Sequence, residues 1–96
     1  MIYEWDLQKA KTNVLLHEVS FPEATSVFLD PLALTFPDPR HSNWEEREIT
    51  LGQSERHRLL FVSHCRRLDR VRIISARKAT KRERRQYEEG FGEENQ

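Results

Sequence analysis

The feature that most constrains this chain is a change of period near residue 31. Upstream, apolar residues recur at helical spacing; downstream, as far as residue 76, they alternate or run in short blocks, which is strand spacing. Ile2 to Trp5 reads as a short opening strand. Asp6 can cap a helix carrying Leu7, Ala10 and Val14 on its buried face and ending near His17. Ser20-Phe21-Pro22-Glu23 is a capping-box pattern that opens a second helix, with Ala24, Val27 and Phe28 inward and Asp30-Pro31 as its stop.

Four strand segments follow. Leu32 to Phe36 lies between Pro31 and Pro37, which suits a sheet edge. Asp38 to Asn43 is a polar loop, and Arg47, Ile49 and Leu51 alternate with polar neighbours as in a half-buried strand. After a polar turn over Gln53 to His57, Leu59 to Val62 is apolar on both faces and reads as a central strand. Leu68 and Asp69 make a turn before a last strand, Val71 to Ala76. Thr80-Lys81-Arg82-Glu83 is another capping box, opening a helix that runs to about Glu89, with Gly90 as its stop. The expected order is β-α-α-β-β-β-β-α: an α+β fold with helices packed on a small, mostly antiparallel sheet. Residues 1–90 form one domain, and 91–96 form an acidic tail expected to fray.

Charge constrains the surface as strongly as period constrains the core. Between Arg66 and Arg85, ten cations face only Asp69 and Glu83, a formal charge of +8 in a chain whose net charge is zero. A small domain cannot bury such a segment, so it lies on a surface that suits a polyanion, nucleic acid first. The last helix also opposes its own dipole: Lys81 and Arg82 sit in the first turn and Glu88 and Glu89 at the end, each costing a few tenths of a kcal/mol, roughly. Cys65 is the only cysteine, and His17, His41, His57 and His64 have no metal-ligand spacing. These patterns call for no disulfide, metal or cofactor. No apolar run reaches membrane-spanning length, and the N-terminal residues lack a signal-peptide core, so a cytoplasmic protein is expected.

Three stretches carry a resemblance. The first is Glu4-Trp5-Asp6 with Lys9, Ala10, Asn13 and His17, then Val19-Ser20-Phe21 and Glu23-Ala24. The second is Phe28-Leu29-Asp30-Pro31 with Glu45-Glu46-Arg47. The third is Arg70 to Thr80, then Glu83-Arg84-Arg85 and Tyr87-Glu88. In these the chain resembles the BrnT toxins of bacterial type II toxin–antitoxin systems. Family members often have glycine where this chain has Glu18 and Leu68. The resemblance implies a RelE-like ribonuclease fold and an RNA-cleaving toxin that stops translation. It also implies a BrnA-like ribbon-helix-helix antitoxin, with operator DNA bound only through the toxin–antitoxin complex. Such an antitoxin could cover the basic cleft with acidic side chains or pair with the edge strand Leu32 to Phe36.

RNA can be cut without a metal by its own 2′-hydroxyl, if protein groups hold the phosphate, move protons and stabilise the phosphorane. Arg72 and Arg77 are the candidates for gripping phosphate, against the alternative of scaffold ion pairs with Asp69 or Glu48. Arg47 is open between an RNA contact and a partly buried ion pair. His64 is open between acid–base work and an ordinary hydrogen bond at a strand end. Tyr87 is open between contacting RNA and packing the last helix. Arg70, Lys78, Lys81, Arg82, Arg84 and Arg85 are candidates for backbone phosphate contact. Trp5 is expected in the core, Trp44 in an exposed loop, and Cys65 is expected to be inert. The competing class is a non-catalytic module that only binds nucleic acid or protein through residues 66–85, such as an antitoxin co-repressor.

Overall fold

The computed structural model describes residues 1–42 and 45–90. Strand β1 (Ile2–Glu4) leads into helices α1 (Leu7–His17) and α2 (Phe21–Thr25) and a 3₁₀ turn (Ser26–Leu29). Then come β2 (Leu34–Pro37), a second 3₁₀ turn (Pro39–His41), β3 (Arg47–Gln53), β4 (Leu59–Arg67), β5 (Arg70–Lys78) and α3 (Lys81–Glu89). The α+β order expected from the pattern is the one observed. The caps account for the helix starts: Asp6 accepts from the Lys9 N–H at 2.9 Å and Ser20 from the Glu23 N–H at 3.1 Å, while Thr80 and Glu83 complete a reciprocal capping box.

The five strands lie in the order β1-β5-β4-β3-β2, with β2 to β5 an antiparallel meander and β1 parallel beside β5. The proline-framed strand is therefore an edge, as expected. Residues opposite one another in antiparallel strands share a face. Val62 with Ala76, and His64 with Ile73, face the helices and join Val19, Phe21, Ala24, Val27, Leu60 and Val71 as the buried interior. The far face carries three rows across β3, β4 and β5: Arg47–Cys65–Arg72, Ile49–Ser63–Ser75 and Leu51–Phe61–Arg77. Between the first two rows the register slips, leaving Ile74 without a partner across β4.

Several boundaries differ from the pattern reading. Helix α1 does not bury Leu7 and Val14, which are exposed along with Leu15 and Leu16; it turns Asn13 inward and, as expected, packs Ala10 against the core. The Asn13 amide acts as a side-chain extension of the sheet, donating to the carbonyls of Ala76 (2.8 Å) and Val19 (2.9 Å) and accepting from the Ala76 N–H (3.1 Å). A polar anchor, not an apolar stripe, sets the face of this helix. The second helix shortens to α2 plus the 3₁₀ turn, and the loop after β2 contains one turn of 3₁₀ helix. Strand β4 runs on to Arg67 and β5 to Lys78, so His64 and Arg77 lie inside strands and not at their ends.

Glu18, which caps α1, and Leu68, in the β4–β5 hairpin, have φ of 59° and 58°. Both turns take the left-handed shape that favours glycine, so this chain keeps the turns and bears the side-chain strain. Trp5 meets Phe21 edge to face at 5.9 Å, in keeping with the core reading. Trp44 and the tail 91–96 lie outside the described residues.

Candidate active site

Arg47 and Arg77 come from different strands and share the far face, two rows apart. Together with Asp38, His41, Phe61 and Ser75 they line an open groove of about 290 Å³. Phe61 and Ser63 of β4 contribute to the groove, and the 3₁₀ turn after β2 brings Asp38 and His41 to it. The Arg77 guanidinium lies over the Phe61 ring, 4.0 Å from its centre, a cation–π contact that holds it flat. Its two terminal nitrogens each reach a Glu83 oxygen at 2.9 Å. Burial disfavours charge on Glu83, but the Arg77 fork and the Thr80 N–H outweigh burial and hold its carboxyl below the usual range. The arginine is about one-third exposed, so its pairing is of the kind a phosphate can exchange.

Arg47 differs. Its Nε–H is shielded from solvent and meets no acceptor among the described residues. A buried donor left unpaired costs about 1–3 kcal/mol, a cost borne inside the fold because this nitrogen has no solvent contact. Arg47 also borders a larger hollow of about 580 Å³, where Glu45, Glu46 and Glu48 outnumber Arg47 and Arg66. In the smaller groove Arg47 and Arg77 outnumber the one carboxylate, Asp38.

Arg72 shares the face but is not in the groove. Its Nη1 is 3.4 Å from Glu4, whose carboxylate also lies 3.5 Å from Arg70. Scaffold pairing was one of the two readings for Arg72 and Arg77, and both do pair, with Glu4 and Glu83 in place of Asp69 or Glu48. Lys78 is 3.6 Å from the exposed Glu18. Lys81, Arg82, Arg84 and Arg85 are exposed on α3 with no ion pair among the described residues, leaving them available to a polyanion.

His64 is not at the basic surface where strand-end placement would put it. β4 continues past it, and the strand's regular alternation puts it on the helix-facing side with Leu60 and Val62. It is 3% exposed, 5.0 Å from the Phe28 ring, with Nε2 2.7 Å from the Thr50 hydroxyl. Burial, with a smaller push from Arg66, lowers its pKa to about 4, so it is a neutral interior group. Tyr87 likewise serves packing. Its hydroxyl donates to Asp30 at 2.6 Å, and burial plus that carboxylate push its pKa up to about 12. Cys65 is fully buried, and burial with the Glu45 charge raises its thiol pKa away from reactivity.

His41 joins the groove without having been singled out by sequence pattern. Its Nδ1 is 2.9 Å from Asp38 Oδ2. The only signal was an Asp-x-x-His spacing inside a proline-bounded loop, and nothing local placed that loop beside Arg47 and Arg77.

The family model described as ribonuclease toxin, BrnT, of type II toxin–antitoxin system matches residues 5–83. The chain belongs to the BrnT family. Among solved structures it is similar to the Brucella abortus ribonuclease toxin BrnT, with 23% identity and a TM-score of 0.67 over 84% of this chain and 100% of that one. At that identity the likeness establishes the fold. No curated protein matches the chain. As a member of this family it is a ribonuclease toxin of a toxin–antitoxin system. Among the described residues, no helix is long and apolar enough to cross a membrane.

Proposed function

We propose that this BrnT-family chain is a metal-independent endoribonuclease that cuts RNA in the groove between Arg47 and Arg77 and so stops translation. The 2′-hydroxyl attacks the adjacent phosphate, the P–O5′ bond breaks, and a 2′,3′-cyclic phosphate remains. Arg47 and Arg77 hold non-bridging oxygens and offset the charge that builds on the phosphorane. Arg70, Arg72, Lys78 and the cations of α3 carry the flanking phosphates. The architecture is RelE-like in this reading, and the toxin works in the cytoplasm. A BrnA-like ribbon-helix-helix antitoxin neutralises it, and operator DNA is reached only through their complex.

The observation that carries the proposal is that two arginines from different strands, Arg47 and Arg77, line one open groove. The chemistry is assigned to the guanidinium groups that line the groove. The test is incubation of purified chain with total RNA in EDTA, beside induction in growing cells. Fragments ending in 2′,3′-cyclic phosphate, together with growth arrest, are expected. Intact RNA and undisturbed growth would overturn the proposal.

One observation favours a second reading. Arg70, Arg72 and Arg77 are all ion-paired within the fold, as a docking surface without catalysis would allow. That module would bind RNA or an acidic partner in a salt-sensitive way and leave every strand intact.

A further inference from the structure

If the groove cuts RNA as proposed, the 5′ oxygen departs as an alkoxide, the strongest base formed in the reaction, and needs a proton. Neither arginine can give one, since a guanidinium keeps its protons throughout the neutral range. The hydroxyls of Ser63 and Ser75 are weak acids there, and the Asp38 carboxylate only accepts. His64 is sealed on the opposite face. Among the described lining residues, His41 is the group with a transferable proton.

Its setting suits proton transfer. The Asp38 carboxylate can only accept, so the contact with His41 Nδ1 requires that Nδ1 carry a hydrogen, and Nε2 is the atom that exchanges a proton. The imidazole is exposed while Asp38 behind it is largely covered, at 65% and 17% of side-chain surface. The turn is tied to Arg47 from both ends. The Asp38 N–H donates to the Arg47 carbonyl at 2.9 Å, and the Arg47 N–H donates to the Ser42 hydroxyl at 2.9 Å. That hydroxyl in turn donates to the Asp38 carbonyl at 2.8 Å. The turn that carries His41 is thus held against the backbone of Arg47, which brings the imidazole to the groove that the guanidinium lines.

We propose that His41 is the general acid of RNA cleavage and that Asp38 is its positioning residue. As O2′ bonds to phosphorus its proton passes to water. The P–O5′ bonding pair goes to O5′, which takes the Nε2 proton, and the neutral imidazole regains a proton from solvent.

The test compares ordinary RNA with the same strand bearing a 5′-bridging phosphorothiolate at the cut site, whose sulfur leaves without a proton. His41→Gln should lose about 100-fold or more on ordinary RNA, by the usual yield of acid–base catalysis, and cut the phosphorothiolate within about tenfold of wild type. Asp38→Asn should lose less, about tenfold, with the same rescue. Equal losses of His41→Gln on both substrates, or full activity on ordinary RNA, would overturn the assignment. Failure of the underlying ribonuclease reading looks different: wild type itself would cut neither strand.

Discussion

The two faces of this sheet use the same residue types for opposite ends. Facing the helices, His64 is enclosed, bonded to Thr50 and kept neutral; on the far face, His41 is exposed and backed by Asp38. Charge follows the same division. On the helix side Glu23 is fully matched, by the Arg58 guanidinium and by the Ser54 hydroxyl at 2.7 Å, and the Arg58 fork holds its carboxyl below the usual range. On the far side Arg47 keeps a donor unmet. One face satisfies its polar groups because it must be dry. The other lines an open groove with two arginines.

The comparison breaks most easily through packing. Leu60→Ala, in the enclosed layer, should cost about 2–5 kcal/mol of unfolding free energy, read from denaturant melts. A cost under about 1 kcal/mol would mean the helix face is not the core described here.

Acid gives the next largest effect. The pKa of His64 is lower in the folded chain than in the unfolded one, so the unfolded chain binds more protons as pH falls from about 6.5 toward about 4. The stability tied to the neutral ring is complete above about 6.5 and is lost through that window, up to about 3 kcal/mol. His64→Gln should flatten stability against pH between these limits, as measured by melts across pH. An unchanged slope would mean that ring is not buried neutral.

Strain gives a smaller one. Glu18→Gly and Leu68→Gly should each stabilise the chain by about 1 kcal/mol, because their positive φ then costs nothing. Loss of stability at either site would show that its side chain contributes more than the turn strain. Smallest are the α3 cations. Replacing Lys81, Arg82, Arg84 or Arg85 by Gln should leave the melting curve within about 0.5 kcal/mol of wild type. Where the replaced side chain contacts phosphate, the replacement should shallow the log–log salt dependence of RNA binding by about 0.7. A slope untouched by all four would remove α3 from the RNA track.

Much of this contrast was legible in the residues, though not its key positions. The capping patterns at Ser20 and Thr80 and the aspartate at position 6 locate helix starts because they are local hydrogen-bond devices. Alternation of Arg47, Ile49 and Leu51 correctly put those three on one face. Alternation does not say which face the helices cover, and so an ion pair looked as apt for Arg47 as an open groove. Val14 misled because α1 is oriented by Asn13, whose partner Ala76 is remote in sequence. His64 misled because the apolar run stops at Val62 while β4 continues to Arg67, which keeps His64 inside the strand and on the same side as Val62. His41 went unnoticed because its importance comes from a turn folding over a strand it does not adjoin. The arginines of the basic segment were found by charge, but the partner of Arg72, Glu4, lies in a strand brought beside β5 only by the fold, and Glu83 reaches Arg77 through the turn into α3.

The central claim is that Arg47 and Arg77 act together on one phosphate. The direct measurement is the rate of RNA cleavage in EDTA by Arg47→Ala, Arg77→Ala and the double variant, with melting temperatures recorded alongside. Each single variant should lose about 100-fold or more, as removal of one transition-state donor does, and the double should lose less than the product of the two. Melting temperatures should stay within a few degrees of wild type, roughly. Cleavage at the wild-type rate by any of these folded variants would contradict the account.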